Sequence, residues 1–418
     1  VGLANPAARR LATNRVLEKG IKLLELRKPE LALILRKRFV EKVKVTPLSH
    51  QLHISSDTLK RRQRVGLRVL TEVLLEQEIE QRNNQVTQWF GRLESPTYSE
   101  LFGVKELTER VAKQLMTPQR KEVVMLTGLG GIGKTSLANH VTRQVLPHFL
   151  YEAVEWLSIH EPPAPNQPIK DRYQWLVRQL VRQILPQISS TVRPEEQVNR
   201  LRHFLKHTPM LIVIDNLELK ADTSFLLDNL VSLSTPRKFF LTSRTQPIGL
   251  SGVLMHTLNE LSFSDAVTLV RHHGAELGLH DLEEASDEAI RPIYQAVGGN
   301  PFALKLVVGL SQIRSLPLVL RDLQAKGAAK LFNKIFWQAW RALSEPAQKL
   351  LTIMPLSGKD GVTDTQLEQD EIVDQEHLWA ALNELVSYSL IEVRGTVWER
   401  CYYIHYLTEL FLRSEILR

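Results

Sequence analysis

Gly128-Leu129-Gly130-Gly131-Ile132-Gly133-Lys134-Thr135-Ser136 fits G-x-x-x-x-G-K-[ST], the loop that cradles nucleotide phosphates. The chemistry explains each residue type. Gly128, Gly130, Gly131 and Gly133 let the backbone curl so that several N–H groups, that of Ile132 among them, point at one anion. Lys134 reaches the β- and γ-phosphates as a point charge. Thr135 and Ser136 add hydroxyls, and that of Thr135 is placed to bind Mg²⁺. Such a loop must open a helix, because a helix N-terminus attracts phosphate.

The flanking sequence agrees. Glu122-Val123-Val124-Met125-Leu126-Thr127 reads as a buried strand before the loop, and Thr135 to Leu146 as the helix after it. Further strands are expected at 152–158, 209–214 and 237–242, alternating with helices across 101–250, which predicts a parallel α/β sheet. The run Pro209-Met210-Leu211-Ile212-Val213-Ile214-Asp215 ends in the acid that a P-loop site needs for its Mg²⁺ shell. Glu218 either polarises an attacking water or is an acid at a helix start. Phe239-Phe240-Leu241-Thr242-Ser243-Arg244 ends in polar residues at the carboxyl edge of the sheet, where ligands of open α/β sheets sit. Arg244 there either touches a γ-phosphate or is a solvated cation.

Composition sets outer bounds. The 418 residues suit two to four domains with real cores. A single cysteine, Cys401, excludes a disulfide framework. No apolar run is long enough to span a bilayer, and the N-terminus lacks a signal-peptide layout, so a cytoplasmic protein without membrane attachment is expected. The chain begins at Val1 rather than Met, which reads as a processed or shortened form. Residues 1–100 hold 19 Lys/Arg against 11 Asp/Glu, whereas the whole chain carries only +7. The basic character therefore lies in the first quarter and points to a polyanion partner there.

That first quarter reads as helical. Amphipathic periodicity predicts helices over 7–27 and 31–45. Two more follow over 48–52 and 56–79 around a turn at His53–Ser55, and 83–95 reads as an irregular linker. Leu48, Leu52 and Ile54 would pack the first helix of the pair. Ser55 would cap the second, with Leu59, Leu67 and Leu70 facing inward. Ser56, Thr58, Lys60, Arg61, Arg62 and Arg64 then form a polar face, with short residues for base edges and cations for phosphates. This pattern resembles the helix-turn-helix of sigma-factor region four. Residues 27–68 hold 12 Lys/Arg against three acids. A solvated basic face on a protein-interaction module is the other reading.

Four stretches taken in order resemble one family. Gly128–Ser136, Ile214-Asp215-Asn216-Leu217-Glu218, Thr242-Ser243-Arg244-Thr245 and Gly299-Asn300-Pro301-Phe302-Ala303-Leu304 are similar to motifs of STAND NTPases of the NB-ARC type. The likeness covers about residues 98–418. It implies that Pro301 packs beside base and sugar, and that Phe102 and Gly103, in Leu101-Phe102-Gly103-Val104, enter past the adenine. Val104 stands where the family usually has Arg. In Ile404-His405-Tyr406 the likeness implies a winged-helix histidine, His405, on the β-phosphate of ADP, with Tyr406 in place of the Asp of plant members. Asn216 replaces a second acid found in many members.

The resulting fold expectation is multidomain α/β plus α. A basic helical head with a helix-turn-helix fills 1–95. A P-loop parallel-sheet nucleotide-binding core fills 96–250, a helical domain 251–330 and a winged-helix domain 331–418. The expected cofactors are ATP/ADP and Mg²⁺. The expected function is a nucleotide-controlled switch with slow ATP hydrolysis, in which Lys134, Asp215, Glu218 and Arg244 act on the phosphates. Its ATP form would be a homo-oligomer presenting DNA-binding heads. Two alternatives stand beside it: a defence sensor whose head is a protein adaptor, and a DNA-remodelling or initiator ATPase. The family often carries a C-terminal repeat array as sensor, so such an array was either removed beyond Arg418 or the signal enters elsewhere.

Overall fold

The computed structural model describes residues 6–117, 123–159, 169–188, 192–217, 227–230, 238–243, 252–324, 336–337, 339–341, 343–355, 361–369, 373–387, 390–396, 399–404 and 406–417. The chain forms two compact units, Val1–Gln88 and Trp89–Arg418.

Among its described residues the first unit is helical: α1 (Pro6–Arg27), α2 (Pro29–Leu35), α3 (Val45–Gln51) and α4 (Ser56–Phe90), whose last two residues belong to the second unit. Ile34, Leu48 and Leu59 join α2, α3 and α4 in one small core, with Leu52 and Ile54 partly buried against it. A second core gathers Ile21, Leu24, Ala32, Leu35, Leu70 and Val73. Ser55 caps α4, its hydroxyl accepting the Thr58 N–H at 3.1 Å.

Three expectations for this unit need correction. The helix foreseen to Val45 stops at Val40 in a wide turn, Glu41 N–H to Arg36 carbonyl, because Lys42 adopts a left-handed φ of 58°. Leu67 is 40 % exposed rather than inward. The buried face of α4 runs Leu59, Gly66, Leu70, Val73, with spacings of seven, four and three residues, and Leu67 lies about 100° round from Gly66. Finally, the polar stretch Asn83–Phe90 is helical, not irregular. Extending a nucleated helix through Asn and Gln costs little per residue, and Trp89 and Leu93 are buried four residues apart at its end.

The second unit is built on a parallel sheet of β1 (Val123–Thr127), β2 (Ala153–Ser158), β3 (Met210–Asp215), β4 (Lys238–Ser243) and β5 (Val253–Thr257), in the order β2-β3-β4-β1-β5. The sheet is flanked by α5 (Lys105–Leu115), α6 (Lys134–Val145), α7 (Ile169–Ile184) and α8 (Pro194–His207). β1 and β3 are buried at every position, as strands covered on both faces must be. Register sets Thr127 beside Ser243 and Thr257, and Ser158 beside Asp215, so hydroxyls and a carboxylate collect at the carboxyl edge.

A helical stretch follows: α9 (Phe263–Glu276), α10 (His280–Glu283), α11 (Asp287–Val297), α12 (Pro301–Ser311) and α13 (Leu316–Gln324). Ser262, Ser286 and Asn300 cap α9, α11 and α12 with their side chains. Beyond it lie α14 (Glu345–Ile353), β6 (Val362–Thr363), α15 (Asp364–Gln369), α16 (Gln375–Ser387), β7 (Ile391–Gly395), β8 (Arg400–Ile404) and α17 (Tyr406–Phe411). The three strands form an antiparallel sheet, β6-β8-β7. One continuous apolar core runs from Leu261 to Leu412 through these elements. No helix among the described residues is long and apolar enough to cross a membrane.

Candidate functional site

Gly128, Gly131 and Gly133 take φ values of 146°, 72° and 97°, the conformations for which the glycine-rich loop was read. Gly128 also allows close approach, since a Cβ there would lie 2.7 Å from the Leu258 carbonyl. Gly133 then starts α6. Lys134 is buried, and its ammonium donates to the Gly128 and Leu129 carbonyls at 3.0 and 2.9 Å. The loop is thus cross-tied by its own lysine.

Thr135, in the first turn of α6, donates its hydroxyl to both carboxylate oxygens of Asp215 at 3.0 Å. Thr242 on β4 donates to Asp215 as well, and its hydroxyl accepts the Asn216 N–H at 2.9 Å. Asn216 has a left-handed φ of 58°, tolerated by Asn, which turns the chain away from the strand directly after the acid. Asp215 is 2 % exposed. Burial pushes its carboxyl up to about 6, helped by the nearby Glu94 charge and opposed by the Thr242 and Thr135 hydroxyls and by Lys134.

The loop is also gripped from the helical stretch. Asn300 Nδ2 donates to the Gly130 carbonyl at 2.9 Å, and the Phe302 N–H donates to the Gly131 carbonyl at 3.3 Å. Asn300 Oδ1 meanwhile accepts the Phe302 and Ala303 N–H groups, capping α12. Gly299 permits this seat, since a Cβ there would meet the Leu261 carbonyl oxygen at 2.1 Å.

Around these groups lies a cavity of about 570 Å³, within the range of a nucleotide-sized ligand. Phe102, Gly130, Gly131, Ile132, Gly133, Lys134, Thr135, Ser136, Asp215 and Pro301 line it. Gly128 touches the site through its carbonyl, while Gly103, at φ 67°, packs against Asp265 and Leu261. Tyr402, Tyr403 and Ile404 of β8 line the same cavity. Glu218, Arg244 and His405 themselves lie outside the described residues. The oxygens that meet at Thr135 and Asp215 are the hard donors Mg²⁺ takes, so the residues fit that ion.

Sequence reading missed several lining groups. Glu94 stood in the stretch taken as a linker, and no local motif marks it. Lys305 lies four residues after Pro301, so helical period alone would have placed it on the same face. His273 and Glu276 line the cavity and pair at 3.0 Å. Burial lowers His273. Burial would raise Glu276, but hydrogen bonds from His273 and Ser99 and the Lys305 charge bring it below the usual carboxylate range.

On α4, Lys60, Arg61, Arg62 and Arg64 are exposed and Ser56 and Thr58 half-buried. Arg62 pairs with Glu30 and Lys60 with Asp57, each at 3.5 Å.

Residues 100–242 match the AAA ATPase domain family. A probable disease resistance protein of Arabidopsis thaliana is 25 % identical over 221 residues, 51 % of this chain and 24 % of that protein. The disease susceptibility protein LOV1 of the same plant is 24 % identical over 250 residues, 56 % of this chain and 26 % of that protein. The chain thus spans about a quarter of the length of these relatives. In fold it is similar to a STAND protein with a tetratricopeptide repeat sensor from Pyrococcus horikoshii, with a TM-score of 0.51, 19 % identity and coverage of 77 % of this chain and 43 % of that one.

Proposed function

We propose that this chain is an ATP/ADP-controlled molecular switch whose N-terminal head is a DNA-binding regulator element. The observation that carries the switch is the grip of Asn300 and Phe302 on the Gly130 and Gly131 carbonyls. Any adjustment of the phosphate loop to a diphosphate or a triphosphate is felt at the start of α12, and α12 shares a core with α14 and α16. Nucleotides shift such an equilibrium only through contacts that differ between the two states.

In this reading the parts are the head (1–95), nucleotide-binding core (96–250), helical domain (251–330) and winged-helix domain (331–418). Lys134 and the loop N–H groups hold phosphate, Phe102 and Pro301 flank base and sugar, and Thr135 and Asp215 hold Mg²⁺. Bound Mg²⁺ would neutralise charge developing on the phosphates. His405 holds the ADP form closed, and Arg244 senses the γ-phosphate. Asn216, being neutral, supplies no second acid after Asp215, which keeps hydrolysis slow unless Glu218 serves. The ATP form exposes surfaces that join several copies and cluster their heads. Similarity to plant resistance proteins supports a signalling role of this kind.

The head reading rests on the Ile34–Leu48–Leu59 core, which sets α4 against α3 with its basic start exposed. A protein-adaptor head is favoured by a different observation: Arg62 and Lys60 already have acidic partners. The test is nucleotide affinity and duplex binding on the full chain. Lys134→Ala should weaken ATP binding by at least about 100-fold, the loss expected of a charge-assisted phosphate contact. Tight ATP binding by that variant would overturn the site. Duplex binding indifferent to Arg61→Glu and to salt would move the head to the adaptor reading.

A further inference from the structure

Glu94 is held in the nucleotide cavity by contacts that none of the site motifs contains. Its carboxylate accepts the Ser158 hydroxyl. Ser158 ends β2 and is the register partner of Asp215 on β3, so neighbouring strands about 4.8 Å apart set the hydroxyl that holds Glu94 beside Asp215. The Ser158 hydroxyl is itself fixed, accepting the Trp156 indole N–H at 2.9 Å. Glu94 and Asp215 line the same cavity with Thr135.

The backbone of Glu94 is anchored as firmly. Its carbonyl accepts from Asn139 Nδ2 at 2.7 Å and from the Arg143 guanidinium at 2.9 Å. Asn139 and Arg143 lie four and eight residues beyond Thr135 on α6. One face of that helix therefore presents a hydroxyl to Asp215 and two donors to the Glu94 backbone. The residues before Glu94 are docked too. The Trp89 and Phe149 rings lie 5.3 Å apart, Arg143 sits 4.8 Å over the Phe90 ring, and Arg92 pairs with Glu155 at 2.7 Å.

We propose that Glu94 is a further oxygen ligand of the divalent-ion shell that Thr135 and Asp215 begin, so that closing this shell around a metal–nucleotide also fastens the Trp89–Glu94 segment to α6. Mg²⁺ at nucleotide sites is held by one or two carboxylates plus phosphate and water, and Asn216 leaves room for a second carboxylate from elsewhere. Glu94 supplies it from the segment that follows α4, which ties the seating of that segment to metal and nucleotide together. The inference rests on the nucleotide-site reading above.

The test is a Mg²⁺ titration of mant-ATP binding to the full chain. Metal-free binding of the analogue by Glu94→Gln sets the baseline from which its Mg²⁺ response is read, and a cooperative thermal melt shows that the variant is folded. Its Mg²⁺ midpoint should rise about 10- to 100-fold, the usual cost of losing a group that supports a metal site. Ser158→Ala removes only the hydroxyl that steers the carboxylate and should raise the midpoint severalfold. Amide exchange over residues 92–97 should slow in wild type when Mg²⁺ is added to the ATP complex, and should not slow in Glu94→Gln. Midpoints within twofold of wild type in both variants would overturn the assignment, as would metal-independent exchange over 92–97 in wild type. Failure of wild type to bind mant-ATP at all would overturn the nucleotide site itself.

Discussion

Replacing Asn300 by alanine removes two functions of one side chain. The first is the cap: Oδ1 accepts the N–H groups of Phe302 and Ala303, and losing such a cap costs about 1 kcal/mol. The second is the bridge: Nδ2 donates to the Gly130 carbonyl at 2.9 Å, a bond worth about 1 kcal/mol net and more where the orphaned acceptor stays dry. Asn300 is 2 % exposed, so water does not readily substitute. The expected loss is about 2–4 kcal/mol, which lowers the melting temperature by about 3–6 °C. Asn300→Asp separates the two functions. Its carboxylate keeps the cap and suits a helix N-terminus, but it cannot donate to Gly130 and adds negative charge beside the phosphate loop. Asn300→Asp should therefore keep the roughly 1 kcal/mol of the cap while losing the bridge, and so melt above Asn300→Ala, yet lose at least as much nucleotide affinity, about fivefold or more. Thermal melts and titrations with a fluorescent nucleotide read both quantities. Equal melting losses in the two variants would refute the cap, and unchanged affinity in both would refute the bridge.

Asp215 gives a pH prediction. Its folded carboxyl is raised from 3.8 to about 6, so the folded state holds the proton more tightly and the contribution of this group to stability is lost as pH rises through about 6. The nucleotide-free protein should therefore melt lower at pH 7 than at pH 5, and Asp215→Asn should lack that step; a step of equal size in the variant assigns it to another group. Holding Mg²⁺ needs the charged form, so metal-dependent ATP affinity should fall about tenfold per pH unit below about 6, and a flat profile would contradict this role. Gly299→Ala must displace the Leu261 carbonyl from 2.1 Å and should destabilise by more than about 3 kcal/mol. Gly133→Ala meets nothing within 4 Å and should cost only about 1–2 kcal/mol for its φ of 97°. Denaturant melts compare the two, and a reversed order would show that the packing at Gly299 is not rigid. If the head neutralises six phosphates, the logarithm of DNA affinity should fall with that of salt at a slope near −5, and a slope near zero would exclude phosphate contacts.

β1 and β3 of the central sheet were readable because they are apolar runs buried at every position. The edge strand Val253–Thr257 was not, because its residues are only partly buried and carry no such run. The two-residue strand Val362–Thr363 is too short to leave a pattern. On α4 the periodicity put Leu67 inward, whereas Gly66 is the buried position, facing Leu31 and Leu35. At the candidate site, the loop and Asp215 sit in motifs whose chemistry is local. Glu94 does not, since its place depends on Ser158, Asn139 and Arg143, each more than forty residues away. Asn300 stands inside the Gly299–Leu304 motif, but its hold on Gly130 spans 170 positions and belongs to tertiary structure alone.

The most direct test of the switch is mass-resolved gel filtration of the full chain with ADP, and then with a non-hydrolysable ATP analogue, each with and without duplex DNA. A monomer with ADP that assembles with the analogue and carries DNA in the same peak is the predicted result. One elution mass in both nucleotides, with Lys134→Ala indistinguishable from wild type, would contradict the account.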